Sequence, residues 1–142
     1  MKIKHGISML AFLLIFAVSM TSLVFGQDQA EPQGAPEFSI SRIAVAEDIQ
    51  DREPVGVAET FPASTEKVYC FIEAANISEN TEAIFVWYHE GQEMRTFSIP
   101  IMQGHRWRAF AYKNLHGETG NWKVEIQDKT GNSIKSITFK VE

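Results

Sequence analysis

Between Asn121 and Val141 the sequence keeps a strict period of two. Trp122, Val124 and Ile126 alternate with Lys123, Glu125 and Gln127, and Ile137, Phe139 and Val141 alternate with Ser136, Thr138 and Lys140. Successive side chains of an extended chain point to opposite faces, so each run has one apolar face and one polar face. The intervening Asp128-Lys129-Thr130-Gly131-Asn132 supplies turn residues, with a glycine free to take positive φ. No helix can gather these apolar residues on one side. They require a hairpin with one face in a core.

The same reading along the chain predicts seven strands, at 38–46, 66–76, 82–89, 93–101, 105–113, 121–127 and 133–141. His89-Glu90-Gly91-Gln92 joins the third to the fourth as a tight turn. The connection 47–64 holds Pro54, Gly56 and Pro62 together with Val55, Val57 and Phe61. It reads as a loop crossing between sheets, its apolar residues pinned over an open end of the core. No helical spacing persists beyond about two turns. The expected fold is all-β, an immunoglobulin-like antiparallel β-sandwich of about seven strands occupying 37–142. Cys70 is the sole cysteine, so no intramolecular disulfide forms, and its place between Val68 and Ile72 predicts a small buried core residue.

The start of the chain has a different character. Lys2 and Lys4 precede the apolar block ISMLAFLLIFAV, and Val24 and Gly26 are compact enough for a signal peptidase. The expectation is a signal peptide over 1–26, cleaved after Gly26, and a periplasmic or extracellular domain. The rival is an uncleaved anchor over residues 6–26, the one route by which this chain would meet a membrane. Residues 27–36 (QDQAEPQGAP) carry no large apolar side chain and read as a flexible linker. The chain carries 13 Lys and Arg against 18 Asp and Glu, a net charge of −5. Loss of Lys2 and Lys4 makes it more acidic, which argues against nucleic acid as a partner.

From Arg42 to Val141 the sequence resembles a family of bacterial envelope proteins known as domain of unknown function 2914 (DUF2914). The resemblance rests on Arg42-Ile43-Ala44-Val45, on Asp51-Arg52-Glu53-Pro54-Val55-Gly56 with Phe61, and on Trp87-Tyr88-His89-Glu90-Gly91. It continues through Trp107-Arg108, Lys113, Gly120-Asn121-Trp122-Lys123-Val124, Asp128, Gly131 and Phe139-Lys140-Val141. Phe85 stands where the family pattern often has a histidine. The resemblance implies an exported β domain and carries over no functional residue.

Motifs for chemistry are weak. His89, His105 and His116 lack the HxH, HxxH or HExxH spacing of a metal site and read as solvated loop residues. The acidic stretch 47–53 has no glycine at the sixth place of a calcium loop and an arginine, Arg52, where a ligand belongs; a salt bridge with Arg52 explains the cluster. The serines lack a GxSxG turn and Cys70 has no local base. No catalytic group, cofactor or metal is therefore expected.

One pattern points to binding. In 105–113, Trp107, Ala109 and Ala111 share one side of a strand, suited to a core, while Arg106, Arg108, Phe110 and Tyr112 share the other. Tyr69 and Phe71 oppose Val68, Cys70 and Ile72 in the same way, so these six residues are expected to share an outer face as a binding surface. The leading expectation is a non-catalytic exported accessory module that engages an envelope protein through this face, with Arg108 contributing little to folding. A carbohydrate or peptidoglycan platform built on outward aromatics is the alternative, and an envelope enzyme with an unrecognised site a second one.

Overall fold

The structure, a computed structural model, describes residues 34–142. The expected signal peptide and linker residues 27–33 lie outside the described residues. Gly34 to Pro36 are exposed, and the fold begins at buried Phe38.

Nine strands form two sheets: β1 (Ser39–Gln50), β2 (Glu53–Val57), β3 (Thr60–Phe61), β4 (Lys67–Ile77), β5 (Thr81–His89), β6 (Gln92–Ile101), β7 (Gly104–Asn114), β8 (Gly120–Gln127) and β9 (Ser133–Val141). The first sheet runs β2-β1-β4-β7 and the second β3-β9-β8-β5-β6. Every pairing among the described residues is antiparallel except the short parallel contact of β3 with β9. The two sheets pack as a sandwich around one apolar core. All seven expected strands are present, and the expected hairpin is β8–β9.

The connection 47–64 differs from the expectation. β1 continues to Gln50, turns at Asp51-Arg52, and returns as β2 with Gln50 opposite Glu53. Asp51 and Arg52 both take positive φ, 50° and 62°, which gives the twist a two-residue hairpin needs. The chain then crosses to the other sheet at β3, so the inter-sheet crossing is real but shorter. Phe61 is buried, as expected of a pin, whereas Val55 and Val57 are exposed on edge strand β2 and cover nothing.

A bulge in β1 decides what its two faces present. Ile40 and Ile43 are three residues apart and would fall on opposite faces of a regular strand. The register shift between Ile40 and Arg42 restores both to the core side. It also leaves the consecutive Ser41 and Arg42 both reaching Glu73 on the outer face.

The core's large members are Trp87, Trp122, Phe61, Phe85 and Phe139. Phe139 makes an edge contact with Phe61 at 5.7 Å and stacks on Trp122 at 6.0 Å between centroids. Cys70 is fully buried, and burial pushes its thiol well above the ordinary range, so it stays protonated. Trp107 sits at the margin: it packs against the core, and the Arg52 guanidinium covers its ring at 5.3 Å.

The β5–β6 turn is tied to β8 at Gly120. Glu90 Oε1 accepts the Asn121 N–H at 2.7 Å, and the Glu90 N–H donates to Asn121 O at 2.8 Å. A Cβ on Gly120, whose φ is 112°, would collide with the Glu90 carboxylate. Gly120→Ala is expected to cost about 1–3 kcal/mol through backbone strain and the displaced carboxylate. A chemical denaturation midpoint equal to wild type would sink this account of the turn.

Candidate functional site

The ladder between β4 and β7 brings all six expected residues onto one outer face. Tyr69 stands opposite Tyr112, Phe71 opposite Phe110, Glu73 opposite Arg108 and Ala75 opposite Arg106. On the other flank of β4, β1 sets Ala44 opposite Phe71 and Ala46 opposite Tyr69. These small side chains keep the face low on that side. The face divides into an aromatic end and an ionic end.

At the aromatic end Phe110 and Tyr112 are 40 % and 47 % exposed. Tyr69, half-buried, lies between them, its ring 6.2 Å from Phe110 and 5.5 Å from Tyr112 at tilts of 61° and 49°. The Lys67 ammonium stands 4.9 Å from the Tyr112 ring. Phe71 corrects the expectation: alternation does point it outward, yet it is fully buried, because the Arg42 guanidinium lies 5.1 Å over its ring and neighbours close around it. It supports the surface and cannot be touched by a ligand.

At the ionic end Glu73, only 7 % exposed, is the hub. It accepts the Ser41 hydroxyl at 2.9 Å and Arg108 Nε at 3.5 Å, with Arg106 and Arg42 each 3.9 Å away. Glu53 from β2 bridges Arg42 at 3.1 Å and Arg108 at 3.0 Å. The Ser41 hydrogen bond, then the two β7 arginines, hold the Glu73 carboxyl below the usual carboxylate range. The Arg42 hydrogen bond, with Arg108 behind it, does the same for Glu53. The folded values lie below the unfolded ones, so this network stabilises fully above the ordinary glutamate range and weakens as pH falls through the folded values.

Arg108 is therefore structural as well as outward. Arg108→Glu would set a third carboxylate beside Glu53 and Glu73, and a clear drop in melting temperature at neutral pH is expected, largest at low salt. A melt superimposable on wild type would show the network contributes nothing. The acidic stretch also needs correction: its ion-pair partners are Arg42 and Arg108, while Arg52 lies on Trp107 and donates to Arg108 O at 3.3 Å.

Sequence reasoning missed Ser41, Arg42, Glu53, Glu73 and Lys113. Lys113 follows the core-side alternation of Ala109 and Ala111, and is 9 % exposed. Its ammonium donates to Asn114 O at 2.7 Å and lies 5.7 Å from the Trp122 ring. The period of two was the signal that could have found it. His89, expected as a solvated loop residue, instead lies against Trp122 with centroids 4.4 Å apart, its Nε2 2.7 Å from Thr119 O. His105 and His116 are exposed. Among the described residues no three His, Cys, Asp or Glu side chains converge as a metal site.

Residues 80–141 match the family described as "Protein of unknown function (DUF2914)", the family the sequence resembles. The match begins at Asn80, one residue before β5, and covers the strands from β5 onward, the β7 stripe included. No curated protein matches the chain. Among solved structures, a β-glucosidase from Kluyveromyces marxianus is similar over 75 % of this chain, at 11 % identity and a TM-score of 0.45. The chain spans only 14 % of that enzyme's length.

Proposed function

We propose that the domain is a non-catalytic binding module of the bacterial envelope that docks a protein partner through the outer face of β4 and β7. The observation that carries this reading is the pair Phe110 and Tyr112, exposed side by side, backed by Tyr69 and bordered by arginines already fixed in place. Exposed aromatics on a rigid strand offer large contact area at low entropic cost, and arginines held by carboxylates are ready to share hydrogen bonds with a partner. The Tyr69 ring is tilted 61° against Phe110 and 49° against Tyr112, so the three rings do not share one plane, which favours a protein over a flat sugar platform. The charged and apolar N-terminus supports export, with a partner outside the cytoplasm.

The test is recruitment of partner proteins from envelope extract by wild type and by Tyr112→Ala. A hot-spot tyrosine contributes about 2 kcal/mol or more, so recruitment should fall by roughly 30-fold. Tyr112 is half exposed, so the denaturation midpoint should stay within about 0.5 kcal/mol of wild type. Equal recruitment by the variant would remove this face from the proposal.

A further inference from the structure

The two longest edge strands lie on one side of the sandwich. Among the described residues β7 pairs with β4 alone and β6 with β5 alone, and the chain passes directly from one to the other through Met102 and Gln103. The opposite edges, β2 and β3, are only 5 and 2 residues long. Edge strands expose unpaired backbone groups, and proteins usually blunt them with shortness, proline or charge. β6 carries Pro100. β7 has 11 residues and no proline, and its second half exposes Phe110 and Tyr112.

Between these edges is an opening of about 340 Å³ lined by Arg95, Phe97 and Ile99 of β6 and by Phe110, Tyr112 and Lys113 of β7. Phe97 and Ile99 face inward with Phe85 and Ala83, their cross-strand partners, yet are only partly buried. The first sheet ends at β7 and leaves them partly uncovered. A fifth strand beside β7 would lie over both. The opening is also cationic: its lining contains Arg95 and Lys113 but no carboxylate, in a chain whose net charge is −5. Neither Arg95 nor Lys113 has an ion-pair partner among the described residues.

We propose that this opening takes an extended segment of another protein, which adds as a strand to the free edge of β7 and brings a carboxylate to Lys113 and Arg95. One face of the added strand would cover Phe97 and Ile99 and the other would meet Phe110 and Tyr112, so apolar and acidic residues are its required composition. Backbone pairing supplies affinity and the side-chain contacts supply choice, as in other strand-addition complexes. The cations select acidic segments by complementarity. This rests on the reading of β7 as a docking element and names the kind of segment it takes.

The probe is a short capped peptide of valine with glutamate at every fourth residue, so that valine and glutamate alternate on the face turned to Phe97, Ile99 and Lys113, compared with its lysine-for-glutamate counterpart and with a version N-methylated at every second residue. Binding to the protein is followed by amide exchange. The glutamate peptide should slow exchange at alternate β7 amides, those facing away from β4, and leave β2 unchanged. The lysine peptide should bind at least about tenfold more weakly, and N-methylation along the pairing edge should weaken binding by a similar factor. Arg95→Met, at an exposed position of the same opening, should narrow the gap between the two charged peptides while the fold melts as before. Equal affinity for all three peptides, or protection absent from β7, overturns strand addition. If no peptide binds while Tyr112→Ala still lowers partner recruitment, strand addition fails and the docking face stands. If recruitment is also unaffected, both fail.

Discussion

Trp122→Ala is expected to lower stability by about 3–5 kcal/mol, a large part of the roughly 5–15 kcal/mol typical of a domain this size. The indole is 1 % exposed and held on every side. Phe139 stacks on it with planes 10° apart, the His89 ring lies on it at 4.4 Å, and the Lys113 ammonium stands 5.7 Å away. Its Nε1–H donates to Glu118 O at 3.2 Å and so fixes the loop before β8. Alanine removes the transfer energy of the ring, leaves a cavity between β5 and β9, and frees that carbonyl. Trp122→Phe keeps most of the volume and loses the hydrogen bond, so a smaller loss of about 1–2 kcal/mol is expected. Urea unfolding followed by far-ultraviolet circular dichroism measures both, since an unchanged slope isolates the shift in midpoint. An alanine variant within about 1 kcal/mol of wild type would mean that the ring is not part of the core.

How far such features can be read from residues alone depends on whether they are periodic. Trp122, Val124 and Ile126 were legible because burial on one face writes a period of two into the sequence, and the same rule placed Phe110 and Tyr112 outward. The hairpin at Asp51-Arg52 was not legible. Two-residue turns usually advertise themselves as Asn-Gly or Asp-Gly, and here an arginine takes positive φ at the second position. Pro54 in β2 reinforced the loop reading, yet it is tolerated because β2 is an edge and needs donors on one side only. β3 has two residues, too few for any period to show. The bulge at Ser41 has no local signature and became visible only through the register of β1 on β4. The candidate site shows the same boundary. Alternation put Phe71 and Arg108 on the right face, but what each touches depends on cross-strand neighbours. Arg42 covers Phe71, and Glu73 with Glu53 binds Arg108, because register brings β1, β2, β4 and β7 together. Sequence separation hides that register.

Asp128→Ala is expected to cost about 2–3 kcal/mol through the β8–β9 turn in which the residue lies. Asp128 is 1 % exposed, and its Oδ1 accepts the Thr130 N–H at 2.9 Å, the Thr130 hydroxyl at 2.6 Å and the Asn132 N–H at 3.0 Å. Its Oδ2 accepts Asn132 Nδ2 at 3.1 Å. One carboxylate thus satisfies the donors of a turn whose Gly131 takes a φ of 89°. Alanine would leave the nearly buried Asn132 backbone N–H without its acceptor, while the Asn132 side-chain amide keeps Gly34 O and the Thr130 hydroxyl. Burial works against the charged form, but the bonds from Thr130 and Asn132 outweigh it and hold the carboxyl below the ordinary aspartate range. The folded value is therefore the lower one. The stabilisation is complete above the unfolded value, about 3.9, and is lost as pH falls through the folded value. Asp128→Asn separates charge from shape: its amide sets one donor against the donors already present, so it should be less stable than wild type at neutral pH. Its melting temperature should then fall less steeply than wild type as pH is lowered below about 4, with the slope that remains coming from Glu53, Glu73 and Glu125, whose carboxyls are also held low. Parallel melting curves across that range would show that the turn draws nothing from the charge of Asp128.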